Sequence, residues 1–493
     1  MKRIRLFDGN AASDASALAL VKLMTMLLSL VTTRVLSTCL STFAYGTYSQ
    51  ILLVVSTVTS ITTFGLMDAV NYYYCSTYDS KKREAYTATI YTIQCCVSSI
   101  AGIAILLLAS PICNYFGNDE LHRYLIFAAF LPLLQNSISL LQVLFVSVGK
   151  ARQLAVRNLV ISLAQLMCAI AVGFWLQEIG MILAVTVVLD IGQIAFFIWS
   201  LKVVGCCMPI TSCDIRLTGS ILRYSIPMAI FTVVNTLNRD MDKYMISAVS
   251  DTETLAVYSN AAKVLPFDII LTSFMTVLLP HITRQISERR YNEAVETYRA
   301  YLEVSYISTA LLAFSVLSAA PQAMELLYSE KYLTGIPVFC IYIVVDIFRF
   351  ASITLILSAS GKTKLLMRLG FAALASNVVL NYLLYQVLGI AGPALATLLV
   401  SLGLGFAILH FSAKEIHSSI RQLFDCRFLL KFTLECLCGL AVFSLLQQWM
   451  SIKGLHYFIV LLTIVGGYMV CAGLPNLKRF IIALKQISSL KSQ

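Results

Sequence analysis

Residues Ser225–Val249 read SIPMAIFTVVNTLNRDMDKYMISAV, a run long enough to cross a bilayer that sets Arg239, Asp240, Asp242 and Lys243 into five consecutive positions. At helical spacing Asn235, Arg239 and Lys243 follow one another by four, and Arg239 and Asp242 by three, so they share a face; Asp240 and Lys243 can pair at i,i+3. A charge at mid-bilayer costs about 2.5 to 3.5 kcal/mol on insertion scales, so the four cannot face lipid. Two readings are open: a self-neutralised cluster near the outer end of the span, where long side chains snorkel, or the lining of a wet cavity.

The rest of the chain is of the same kind. Its 493 residues are 59% hydrophobic and only 12% charged, and the mean hydropathy is +0.82. Apolar runs of about 20 residues follow one another, each able to cross a membrane. The expectation is an all-α polytopic membrane protein with about fourteen transmembrane helices, at roughly 16–36, 47–68, 87–109, 124–147, 157–177, 180–201, 221–247, 255–280, 300–320, 336–358, 366–387, 390–410, 428–449 and 456–474. The basic start MKRIRLFDGN precedes a run too long for a signal peptide, with no small-residue cleavage site, so it reads as a first span.

A net charge of +11 could suggest nucleic acid, but its distribution points elsewhere. Most of the 36 Lys and Arg fall in alternate loops such as DSKKREA, GKARQLAVR, RQISERRYNEAVETYR and GKTKLLMR, or at the termini. Only Arg123, Lys331 and Lys453 lie in the opposite loops, which places both termini on the cytoplasmic side. Lys22, Arg34, Arg239, Lys243, Lys263 and Arg349 sit within or at the ends of spans. Fourteen cysteines lie mostly in spans or inward-facing loops, including Cys206, Cys207 and Cys213, without metal spacing, and read as small packing residues. The histidines, 122, 281, 410, 417 and 456, are scattered near span ends. No HExxH or Walker A motif occurs, so no catalytic residue, metal site or cofactor is expected, and transport would run on an ion gradient, with Na+ or H+ as the candidate ion, on the membrane potential or on the substrate gradient.

The chain also repeats itself. GKARQLAVR and GKTKLLMR begin 212 residues apart, while Tyr48 of YGTYSQ and Tyr258 of LAVYSN, and Pro111 and Pro321, are offset by 210. Six spans per repeat give two six-helix bundles of the same orientation, related by an axis along the membrane normal, with a central cavity between them. The boundaries follow: 1–205 for the first bundle, 206–220 for a cytoplasmic connection, 221–412 for the second bundle, and 413–493 for two additional helices and a basic tail. The same offset carries Arg34 onto Tyr244, beside Lys243, so the first span of each half holds a cation at nearly the same depth. Lys22 lies three turns before Arg34, toward the other mouth. Lys263 and Arg349 add cations in the second half, Arg349 with Asp346 three residues before it. Asp190, flanked by AVTVVL and IGQIAFFIW, is the carboxylate most deeply set in apolar sequence and the first place to look for ion coupling. Prolines 227, 266 and 337 fall inside or at the start of spans and could act as hinges.

Several stretches carry a resemblance: TTRVLSTCLSTFAYGTYSQ, DKYMISAVSDTETLAVYSNAAKVL, LLPHITR, ELLYSEKY and SASGKTKLLMR, in this order over nearly all of residues 15–410. They resemble the bacterial O-antigen and exopolysaccharide flippases of the multidrug/oligosaccharidyl-lipid/polysaccharide exporter superfamily. That resemblance implies movement of an undecaprenyl-pyrophosphate-linked oligosaccharide from the cytoplasmic to the periplasmic leaflet of the bacterial inner membrane by alternating access through a cationic cavity. Arg34 and the Asp242–Lys243 pair occupy the matching positions; the family often has Arg where this chain has Lys243, and Gly where it has Ala256 or Val257. The residues then expected at the pyrophosphate are Arg34, Arg239 and Lys243, with Lys22, Lys263 and Arg349 behind them, while Asp240 and Asp242 balance the empty site. The implied partners are the lipid-linked oligosaccharide, membrane lipid and other polysaccharide assembly proteins, around a monomer that binds no nucleic acid. The rivals are a multidrug or cation exporter of the same superfamily, whose cavity should be acidic and aromatic, and a polytopic polysaccharide polymerase or ligase, which should carry a large outer loop.

Overall fold

The computed structural model describes residues 11–76, 79–148, 150–175, 177–203, 213–263, 265, 278–279, 281–350 and 353–489. These residues are helical throughout, with no strand among them. Twelve helices are long and apolar enough to cross a membrane, and a pair bent by 43° raises the number to 13. Fourteen spans were expected from the sequence; the one placed at 255–280 lies largely outside the described residues, as do Pro266 and residues 206–212 of the 206–220 connection. The chain is a multi-pass membrane protein. It divides into two compact units, Met1–Ala256 and Val257–Gln493.

In the first unit the helices are α1 (Ala11–Cys39), α2 (Thr42–Thr63), α3 (Leu66–Ser76), α4 (Ser80–Leu107), α5 (Ala109–Phe116), α6 (Leu121–Ser147), α7 (Ala151–Trp175), α8 (Ile179–Val203), α9 (Thr218–Val249) and the start of α10 (Thr252–Ala261). Helix α6 is the most apolar-packed helix of this core, with Leu121, Leu125, Ala128, Leu131, Leu140, Leu141, Leu144 and Phe145 buried where it packs on α2, α4 and α8, and Ile126, Phe130 and Val146 exposed on its remaining face. Its Leu140, Leu141, Leu144 and Phe145 close on Leu66, Ile90, Phe197 and Ile221 from four other helices. One polar residue in this core is satisfied in full: the Asn136 amide donates to Thr62 Oγ1 at 2.7 Å and accepts from Thr63 Oγ1 at 2.8 Å. The apolar run at 47–68 reads as one span, yet the chain breaks at Phe64 and Gly65, both at positive φ. A Cβ on Gly65 would stand 2.5 Å from the Ser225 carbonyl, so the break also lets α9 approach closely.

Helix α9, which opens the second sequence repeat, packs on α2, α3, α4 and α5 of the first unit. It bends by 43° between Ile226 and Met228, at Pro227, one of the three prolines expected to act as hinges. Tyr244 fixes its far half, sharing a 2.5 Å hydrogen bond with Thr57 and bonding the Leu53 carbonyl at 3.2 Å.

The second unit contains α11 (Tyr291–Leu317), α12 (Ala320–Tyr328), α13 (Ile336–Phe348), α14 (Thr363–Leu388), α15 (Ala391–Glu415), α16 (Cys426–Ile452) and α17 (Tyr457–Ser489). Helix α11 is the axis of this unit, with Tyr298, Tyr301, Leu302 and Val304 fully buried. Pro337 falls in the first turn of α13, where a missing N–H costs nothing, and so makes no kink. The two extra helices α16 and α17 pack on α11, held by Arg479, which pairs with Glu303 and with Asp425 at 2.8 Å and lies over the Phe428 ring at 3.5 Å. The repeat is visible in the helix starts: α2 and α10 begin 210 residues apart, α4 and α11 211, α8 and α15 212. Each long helix α4 and α11 is followed by a short one, α5 and α12, holding Pro111 and Pro321.

Candidate functional site

Helix α9 presents a charged face in the middle of a membrane-crossing length. Asp240 is 3% exposed, and both of its oxygens are engaged: Oδ1 accepts from Lys243 Nζ at 2.7 Å, and Oδ2 from Arg239 Nη2 at 2.9 Å. Helical spacing brings Lys243 onto the carboxylate from one turn on, while Arg239 folds back beside it. Asp242, 1% exposed, faces inward and accepts the Lys243 N–H at 2.9 Å. The arrangement is a buried anion under two cations of unequal exposure, 56% for the Arg239 side chain and 23% for Lys243. Arg239 uses only its Nε and Nη2 edge on Asp240, and its Nη1 makes no bond to a described residue.

Depth gives these numbers their meaning. Arg239 stands ten residues before the end of α9 at Val249. At 1.5 Å per residue that is about 15 Å, the middle of a hydrocarbon core about 30 Å thick. Snorkelling to the end of the helix is out of reach for Arg239. An exposed guanidinium at this depth requires water or polar groups beside it.

The other expected residues are distributed. Arg34 is half-buried on α1, which packs on α7, and Lys22 is exposed on the same helix. In the second unit Lys263 is half-buried with its ammonium 5.8 Å from the centre of the Tyr328 ring. Arg349, at the end of α13, donates to Ser401 Oγ at 2.9 and 3.2 Å, while Asp346 accepts the Leu265 N–H at 3.3 Å. The structure thus brings Arg239, Asp240 and Lys243 into direct contact, with Asp242 beside them.

Asp190 belongs to a second cluster. It is 6% exposed and accepts from Gln193 Nε2 at 2.8 Å, and Gln193 Oε1 in turn takes a hydrogen bond from Arg157. Arg157, 8% exposed, also donates to Asn158 Oδ1 at 2.7 Å and lies 4.6 Å over the Phe197 ring. Sequence reasoning counted Arg157 with the basic loop GKARQLAVR and missed its burial. Among the described residues, no group of three or more His, Cys, Asp or Glu could hold a metal.

The fold and this intramembrane charge define a class: a helical multi-pass membrane protein with charged groups set within its spans. The family described as Polysaccharide biosynthesis protein matches residues 35–337, more than half of the chain, and the chain belongs to that family. No curated protein matches it in sequence. Solved structures match over most of its length. A structure of the lipid II flippase MurJ in an inward closed conformation superposes with a TM-score of 0.68 at 17% identity, covering 94% of this chain and 99% of that one. An inward-facing MATE family multidrug resistance transporter of the MOP superfamily gives 0.64 at 13% identity, covering 81% and 98%. A MOP superfamily transporter from Pyrococcus furiosus, described as having a binding pocket of reverse polarity, gives 0.56 at 13%, covering 85% and 98%. The chain therefore shares the fold of these structures.

Proposed function

We propose that this protein is a flippase that moves an undecaprenyl-pyrophosphate-linked oligosaccharide from the inner to the outer leaflet of the bacterial cytoplasmic membrane, by alternating access, for surface polysaccharide assembly. The observation that carries the reading is the half-exposed Arg239 guanidinium at the middle of α9, with Lys243 beside it and Asp240 beneath. A pyrophosphate and sugar hydroxyls crossing hydrocarbon lose their hydration, a prohibitive cost unless other groups replace it. Arg239 offers planar N–H donors that match phosphate oxygens, and Lys243 a point charge. In the empty site Asp240 holds both cations; an arriving pyrophosphate competes for them, so the anion is bound without becoming trapped. Arg34 and Lys22 on α1 extend the cationic path, and Lys263 and Arg349 serve it in the second unit. Both termini lie in the cytoplasm, and a single chain is the working unit. A multidrug exporter acting on cations is disfavoured, because a cationic drug would meet Arg239 first.

The test is a leaflet-accessibility assay on proteoliposomes loaded with fluorescent undecaprenyl-pyrophosphate-linked oligosaccharide. The wild-type chain should expose the glycan to the outer face, and Arg239→Ala should leave folded, inserted protein that does not. Equal exposure in both would overturn the assignment.

A further inference from the structure

A cavity in the first unit has a chemistry different from that of the α9 cluster. It measures 480 Å³ and lies where α2 begins and α5 and α9 end, beside the start of α10. Lys81, Lys82 and Arg83 sit at the N-terminal end of α4, and the chain enters α5 from the other end of that helix, so the cavity is at the mouth away from this basic turn. By the positive-inside rule this is the outer mouth. Three aromatic residues line it: Phe43, 36% exposed, the buried Phe116, and Tyr115, 47% exposed, whose hydroxyl is fixed by a 3.0 Å bond to the Tyr244 carbonyl. The polar lining includes Asn114, Ser247, Ser250, Asp251, Thr252 and Glu253. Ser247 is 4% exposed, and its hydroxyl has no hydrogen-bond partner among the described residues. Asp251 spends one oxygen on the N–H of Thr254 at 2.6 Å, capping α10, whereas the Glu253 carboxylate makes no bond to a described residue.

We infer that this cavity is a carbohydrate subsite that receives neutral or amino-sugar pyranose residues of the transported glycan at the outer mouth; the inference rests on the flippase reading above. A volume of 480 Å³ falls within the roughly 300 to 1,000 Å³ of small-molecule sites and accepts a pyranose ring with room to spare. Each group present suits a sugar. Carboxylates accept charge-assisted bonds from hydroxyls, the Asn114 amide both donates and accepts, and the aromatic faces, negative at their centres, meet the C–H face of a pyranose. The unpartnered Ser247 hydroxyl gains the bond it lacks when a sugar hydroxyl reaches it. With Asp251 and Glu253 present and no Lys or Arg in the lining, an acidic sugar is repelled. The cavity therefore selects for charge as well as shape.

Saturation-transfer NMR on the full chain in lipid nanodiscs tests this with soluble probes that have neither lipid nor pyrophosphate: methyl β-glucoside, N-acetylglucosamine and glucuronate. The first two should bind at millimolar concentration and glucuronate should not. Glu253→Gln combined with Asn114→Ala should weaken N-acetylglucosamine at least fivefold without changing the helical circular dichroism. Tyr115→Phe, which keeps the ring, should retain methyl glucoside binding better than Tyr115→Leu. No binding by any probe, equal binding in wild type and the double variant, or glucuronate binding as tightly as the glucoside would each overturn the inference. The two proposals fail separately: sugar binding without glycan exposure in proteoliposomes sinks the flippase reading alone, and glycan exposure with no sugar effect sinks the subsite alone.

Discussion

Lys243→Gln separates a structural ammonium from a functional one, provided it is measured beside Asp240→Asn/Lys243→Gln. In the wild type the ammonium lies 2.7 Å from the Asp240 carboxylate, which is 3% exposed. Removing it leaves a buried anion with Arg239 alone, itself 56% exposed. A hydrogen bond between charged groups contributes about 1.5 to 3 kcal/mol, and a Lys243 side chain 23% exposed is partly screened, so the expected loss of stability is about 2 kcal/mol. The second change replaces the buried charge by an amide that still accepts from Arg239, and should restore about 1 to 2 kcal/mol. Thermal unfolding in nanodiscs reads both steps. Flipping should follow a different pattern: if Lys243 touches the pyrophosphate, losing a contact of that strength slows glycan exposure by about 10- to 150-fold. The double variant should be stable and still slow. A double variant that unfolds like wild type and exposes glycan at the wild-type rate would show Lys243 to be a counter-ion only, and would remove it from the site.

Three further outcomes follow from the packing. A Cβ on Gly46 would stand 2.1 Å from the Thr252 carbonyl, so Gly46→Ala must force α2 away from the start of α10, at about 1 to 3 kcal/mol or more, read as a lower unfolding midpoint. Arg157→Met leaves Asp190 buried without its relayed cation and should cost about 3 to 5 kcal/mol, while Arg157→Met with Asp190→Asn should recover most of it; equal stability of the two variants would refute the coupling. Hydrogen bonds from the Arg479 guanidinium and the Phe428 N–H hold the Asp425 carboxyl below the usual range. A depressed value in the fold means that its contribution is full above the unfolded value of about 4 and is lost as pH falls through the folded one. Asp425→Asn should therefore lower stability at neutral pH and flatten the acid limb of the unfolding-midpoint profile.

How much the sequence showed depended on whether the signal was local. The spans were legible because about twenty apolar residues in a row match the thickness of a bilayer and leave no polar face for water, and the Asp240–Lys243 pair because i,i+3 contacts are built into the helix. The break at Phe64 and Gly65 was not, since hydropathy is continuous there and only the backbone sign of φ reveals it. Arg157 was misplaced because its partners Gln193 and Asp190 lie on another helix, more than thirty residues on. The one available clue was the apolar sequence on both sides of it in QLAVRNLVIS. Arg349 shows the same limit: its guanidinium binds Ser401 on α15, 52 residues on, a contact that no local spacing reveals. The outer-mouth cavity escaped notice altogether, because its residues come from four separate helix ends and none is unusual by itself.

Three charge clusters lie in or against the apolar spans, and exposure sorts their roles. In the Arg157–Gln193–Asp190 relay the guanidinium is 8% exposed and rests on the Phe197 ring, so it cannot meet a substrate without leaving its partners. Such a network fixes how α7 meets α8. The Arg479–Glu303–Asp425 cluster ties α17 to α11 and to the start of α16, and so sets the register of three helices far apart in sequence. On α9 the balance is inverted: the anion is sealed and the cations are outermost. A cluster meant only to neutralise itself would gain by burying Arg239 as well, because an exposed guanidinium at that depth must be kept hydrated. Leaving it exposed is tolerable if something anionic comes to it, and the pyrophosphate of the proposed substrate is such an anion.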